Sequence, residues 1–134
     1  MTDKQLITQA TEVRENAYAP YSGFKVGAAL LTSSGRVFKG CNVENLSFRL
    51  TVCAEQAAVA AAVAAGEREF TTVAVVTDSD KPAVPCGACR QTLAQFNPSL
   101  KVIMSTVKGA KETMLLSELL PRPSQGILEG KRNV

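Results

Sequence analysis

From Cys53 to Ala65 the chain reads Cys-Ala-Glu-Gln-Ala-Ala-Val-Ala-Ala-Ala-Val-Ala-Ala, and Gly66 follows. Alanine is the strongest helix former, and glycine is a common C-terminal stop. Past Gln56 this helix has no polar side to show to water. A helix that is apolar all round is normally buried, so the rest of the chain must cover it. With 134 residues, 46% of them apolar and only 20% charged, one domain spanning 1–134 has the material for such a core.

The flanking segments supply the layers. Leu6, Ala10, Val13 and Ala17 recur at helical spacing, with Thr2 or Asp3 as N-cap, and Pro20 predicts the end of that helix. Phe24, Val26, Ala28 and Leu30 alternate as in a strand. Thr32-Ser33-Ser34-Gly35 reads as a turn, and Arg36 to Cys41 as the returning strand of a hairpin. Thr71 to Thr77 is a nearly unbroken apolar run, the pattern of a central strand. A helix is predicted over Gly87–Phe96, stopped by Pro98, then strands at Val102–Met104 and Thr113–Leu116 and a helical turn at Ser117–Leu120. The order α-β-β-α-β-α-β-β predicts an α/β protein, a three-layer α/β/α sandwich around a mixed five-stranded sheet. The tail after Pro121 turns polar and is expected to be mobile.

Charge and composition narrow the function. The net charge of +3 gathers partly in the last thirty residues, and aromatics are only 5%, so neither a basic face nor a stacking platform for nucleic acid is indicated. The N-terminus lacks an apolar signal core, and Ala57–Ala65 is too short to span a bilayer, so a cytoplasmic protein with no membrane partner is expected. In a reducing compartment four cysteines read as metal ligands or catalytic groups before disulfides. There is no histidine, which removes Ser-His and Cys-His catalysis and leaves thiolates or carboxylates for any transition metal.

Pro85-Cys86-Gly87-Ala88-Cys89 is a C-x-x-C at a predicted helix start, which suits one tetrahedral ion but also a redox dithiol. Cys53 opens the second helix. Three thiolates on two helix starts fill three corners of a tetrahedron and leave the fourth for water, the pattern of a catalytic zinc site. Glu55, two residues past Cys53, reads as a proton shuttle beside that position or as a helix-dipole carboxylate. Cys41 reads as a small buried residue outside the site.

The C-A-E segment followed some thirty residues later by P-C-x-x-C resembles the zinc deaminase signature in its three-cysteine form. Ala19-Pro20-Tyr21-Ser22, Phe24 to Leu30, Gly40-Cys41-Asn42-Val43-Glu44-Asn45, Pro85 to Gln91 and Leu119-Leu120-Pro121 are similar to the small homotetrameric cytidine deaminases, from about residue 4 to 121. The resemblance implies one zinc per chain on Cys53, Cys86 and Cys89, with Glu55 as proton carrier. It implies hydrolytic deamination of cytidine or 2′-deoxycytidine at C4, a small-molecule nucleoside as partner, and a tetramer. It places Asn42 and Glu44 at the ribose hydroxyls, Phe24 against the base, and Ala54 at the substrate.

Two departures stand out. The family's Arg after the catalytic Glu, which tempers thiolate charge, is Gln56 here. Arg49 and Arg90 are candidates for the missing cation. The family's C-terminal Phe, which reaches a neighbouring subunit's site, has no counterpart after Pro121. These departures also admit a deaminase of N4-substituted or otherwise modified cytosine nucleosides, including nucleoside antibiotics. A different class, a structural zinc or redox protein, is disfavoured by Glu55.

Overall fold

In a computed structural model of the chain, residues 1–126 and 128 are described. The elements are α1 (Asp3–Arg14), β1 (Val26–Thr32), β2 (Val37–Cys41), a 3-10 turn η1 (Phe48–Leu50), α2 (Ala54–Ala64), β3 (Phe70–Thr77), α3 (Gly87–Ala94), β4 (Lys101–Thr106), β5 (Lys111–Leu115) and α4 (Leu116–Leu119). They form one mixed sheet in the order β2-β1-β3-β4-β5, in which only β3 and β4 run parallel.

The two faces of the sheet carry separate cores. Leu6 and Ala10 of α1 pack with Ala29, Ala74, Val76 and Ile103 on one face. On the other, Ala58 and Ala62 of α2 and Leu93 of α3 pack with Ala28, Leu30, Val73, Val75 and Met104. Alternate residues of β1 and β3 therefore point into different cores, which is why both strands read as continuous apolar runs. The three-layer α/β/α arrangement predicted from the sequence is the one observed.

Close helix contact needs glycine at two strand positions. A Cβ on Gly27 would stand 2.0 Å from the Ala10 carbonyl oxygen of α1, and one on Gly40 would stand 2.3 Å from the Ala54 carbonyl oxygen of α2. Gly40 thus lets the first turn of α2, which follows Cys53, lie directly on β2.

Three sequence expectations are corrected. Helix α1 ends at Arg14, well before Pro20, because tertiary pairing takes over: Tyr18 N donates to the Asn42 carbonyl at 2.9 Å and Glu44 N to the Tyr18 carbonyl at 2.8 Å. Helix α3 ends at Ala94, where Phe96 turns in to meet Phe70 with ring centroids 5.0 Å apart. Helix α2 is not covered on all sides within the chain. Ala58 and Ala62 are buried, whereas Ala60, Ala61, Val63 and Ala64 are exposed. The tail expected to be mobile lies, for residues 127 and 129–134, outside the described residues.

Candidate metal and substrate site

Two helices begin at the same place. Cys53 is the N-cap residue of α2 and Cys86 that of α3, and Cys89 lies in the first turn of α3. Their three Sγ atoms fall within 4.8 Å of one another. Zinc–thiolate bonds of about 2.3 Å at tetrahedral angles place sulfurs roughly 3.8 Å apart, so the cluster has the dimensions of a zinc site. The Cys86 and Cys89 sulfurs are 3.3 Å apart, and Cys89 N donates to Cys86 Sγ at 3.4 Å. Two helix N-termini, each worth roughly half a positive charge, favour thiolates here.

The thiols already share protons. A hydrogen bond from Cys89 holds the Cys53 thiol down to about 7, against burial and the nearby Glu55 charge. Cys89, the donor, is pushed up by that bond, by burial and by Glu55. A metal replaces such shared protons. Glu55 is only 5% exposed, and burial raises its pKa above the ordinary carboxylate value. A carboxyl held this way is poised both to take and to give a proton.

These groups line a cavity of about 340 Å³, in the size range of small-ligand pockets. It lies at the sheet end where Val26 of β1 stands opposite Thr77 of β3, both of which line it. Phe24, Asn42, Glu44 and Ala54, all named from the sequence, line it with Cys53, Glu55, Cys86 and Cys89. The lining also includes Ser22, which the sequence reading placed in a family motif without a site role, and Phe48, Thr77 and Val84, which it did not single out. Phe48 lies on the short 3-10 turn η1 and Val84 in an irregular segment, neither with a periodic pattern, so their only signal was being apolar next to a motif.

Asn42 and Glu44 are engaged with the chain's own backbone. Asn42 Nδ2 donates to the Phe24 carbonyl at 2.8 Å, and its Oδ1 accepts from Val26 N at 2.8 Å. Glu44 accepts from Tyr21 N, Ser22 N and the Ser22 hydroxyl. The Ser22 hydroxyl is the largest reason its pKa lies below the ordinary value, while burial opposes it.

The three charge-tuning candidates are scattered. Gln56 turns its Oε1 back to Cys53 N at 3.4 Å, closing the first turn of α2. Arg90 spends its donors on the Pro85 and Leu119 carbonyls, at 2.7 and 3.0 Å, and not on sulfur. Arg49 stands exposed on η1 with no hydrogen bond or ion pair to the described residues. Cys41 does not line the pocket, and it is half-buried where the sequence reading made it a buried residue. No helix among the described residues is long and apolar enough to cross a membrane.

Comparison with known proteins agrees with this geometry. Residues 1–106 match the family model described as the cytidine and deoxycytidylate deaminase zinc-binding region. A cytidine deaminase of Sporosarcina psychrophila is 46% identical over 122 residues, covering 90% of both chains. One from Halalkalibacterium halodurans is also 46% identical over 122 residues, covering 90% of this chain and 92% of that one. The crystal structure of cytidine deaminase from Burkholderia pseudomallei superposes with a TM-score of 0.89 at 49% identity, covering 91% of this chain and 98% of that one.

Proposed function

Because the chain belongs to the cytidine and deoxycytidylate deaminase zinc-binding family, we propose that it hydrolyses the C4 amino group of a free cytosine nucleoside, cytidine or 2′-deoxycytidine, and releases ammonia. The observation that carries this reading is the three-sulfur cluster beside buried Glu55 in the lining of a nucleoside-sized pocket.

Cys53, Cys86 and Cys89 hold zinc. When bound, zinc supplies the Lewis acidity that makes hydroxide available near neutral pH. Glu55 takes the proton of the attacking water, delivers it to N3 of the base, and passes a proton to the departing amino group. Water and the cytosine ring thus become the uracil ring and ammonia. The raised pKa of Glu55 suits both directions of transfer. Phe24 lies against the base, Ala54 offers backbone beside it, and Asn42 and Glu44 hold the ribose hydroxyls. Gly40 seats the first turn of α2, and with it Glu55, against the sheet.

A free nucleoside fits better than a nucleotide. Among the described lining residues there is no Lys or Arg, and the charged ones are Glu44 and Glu55. A 5′-phosphate would enter with two extra negative charges and no cationic partner. We also assign the chain to a homotetramer. Leu46 is 83% exposed, and with the uncovered α2 residues, Phe48 and Leu50 it gives the chain apolar side chains that a partner copy can cover.

The test is ammonia release from a panel of cytidine, 2′-deoxycytidine, their 5′-monophosphates and N4-substituted cytidines, with zinc measured in the same samples. Turnover of the two unmodified nucleosides is expected. A zinc-loaded protein that deaminates none of the panel, or only the N4-substituted members, overturns the reading.

A further inference from the structure

We propose that Arg14, at the end of α1 and outside the pocket lining, is a positioning residue that fixes Phe24 in the pocket wall. Residues 21–25 belong to no strand or helix, so ladder bonds do not hold them. One backbone bond, from Gly23 N to the Ala19 carbonyl at 2.9 Å, closes the turn, and side chains hold the rest. Glu44 takes Tyr21 and Ser22, the Ser22 hydroxyl takes Phe24 N, and Asn42 takes Phe24 O and Val26 N. The carbonyl left between them belongs to Lys25, and Arg14 Nε donates to it at 3.0 Å.

Arg14 differs from the other anchors in one respect. Asn42 and Glu44 line the cavity, whereas Arg14 does not. A ligand that draws on Asn42 or Glu44 competes with their backbone bonds. Arg14 grips the segment from behind, through a guanidinium whose side chain is only 12% exposed, and no ligand competes for it. Its second contact, an ion pair with Glu15 at 3.1 Å, is exposed and contributes little. A largely buried guanidinium is costly unless its donors are used, and the Lys25 carbonyl is the use this chain makes of it. Phe24 is one residue away.

The kinetic half of this inference rests on the cytidine reading; the structural half does not. Arg14→Met keeps the aliphatic stem and removes the donors, so packing beside Gly27 is retained. In zinc-loaded protein it is expected to raise KM for cytidine roughly tenfold, the scale of one charge-assisted hydrogen bond, with kcat within about twofold. Glu15→Gln, which breaks only the ion pair, should match wild type. Amide hydrogen exchange gives the second readout: Tyr21, Ser22, Phe24 and Val26 should exchange faster in Arg14→Met, and the amides of β4 should not. Unchanged exchange over 21–26 overturns the proposal, as does a loss confined to kcat or an equal effect of Glu15→Gln. Should wild type fail to turn over cytidine, the functional reading falls and exchange alone decides for or against Arg14.

Discussion

Cys86 and Cys89, three residues apart, bring their sulfurs to 3.3 Å because Cys86 is the N-cap of the helix in whose first turn Cys89 lies. That local geometry leaves only Cys53 to arrive from elsewhere. About one zinc per chain is therefore expected by metal analysis. Cys86→Ala combined with Cys89→Ala removes two of three ligands and should abolish retention. Full zinc in the double variant would show that the metal sits somewhere else.

Glu55→Gln tests the proton carrier separately from the metal. The amide keeps the shape and a hydrogen-bonding oxygen in a pocket where only 5% of the residue is exposed. Zinc content and fold should survive. General acid–base catalysis is worth about 10²- to 10⁴-fold, and one carboxyl serving two transfers belongs at the top of that range or beyond. A Glu55→Gln enzyme that keeps a tenth of wild-type kcat would rule out the assigned role.

Glu44 gives a pH prediction. Its folded pKa lies below the ordinary carboxylate value, chiefly through the Ser22 hydroxyl. The folded state therefore prefers the ionised form. That stability is fully present above the unfolded value of 4.5 and is lost as pH falls through the lower folded value. Urea midpoints of wild type and Glu44→Gln should accordingly converge between pH 6 and pH 3. A gap that stays constant with pH would mean that the ionised carboxylate is not what Ser22 stabilises.

What could be read from the chain beforehand followed from local periodicity and short spacings. The five strands, the Ala-rich helix and the C-x-x-C pair each announce themselves within windows of about ten residues, whereas Cys53 joins the triad only through a second motif some thirty residues earlier. The end of α1 did not, because Tyr18 leaves the helix to bridge Val43, a partner twenty-five residues away. The fates of Arg49 and Arg90 were equally hidden: Arg90 reaches Leu119, which only the assembled fold brings near. Arg14 carried no motif at all, and its role appears only once Lys25 is seen beside it.

Arg49 and Gln56 can be separated by a double-mutant cycle. If Arg49 supplied the cation missing after Glu55, Arg49→Ala would be damaging and Gln56→Arg would rescue it. Arg49 is exposed and unpaired among the described residues. Surface changes of this kind usually stay within about 0.5 kcal/mol, roughly a factor of two in rate. Arg49→Ala is expected to stay within that factor, and its effect to add simply to that of Gln56→Arg. Rescue in the double variant would relocate the cation to residue 49 after all.

The exposed side of α2 leads to the last prediction. Ala57 to Ala65 has no polar residue to turn outward, yet Ala60, Ala61, Val63 and Ala64 are uncovered within the chain. Alanine there costs nothing in helix propensity, so solvent exposure alone gives no reason to exclude charged residues from the whole segment. The proposed second copy would, since small side chains let two helices approach closely and bury apolar area on both. Leu46, Phe48 and Leu50 are exposed apolar residues as well. Sedimentation at micromolar concentration should therefore show a tetramer. Ala61→Glu, on the exposed side of α2, should shift it toward smaller species without unfolding the chain, because residue 61 makes no part of either core. A monomeric wild type would overturn the assignment, and an Ala61→Glu tetramer would place the contact on a different face.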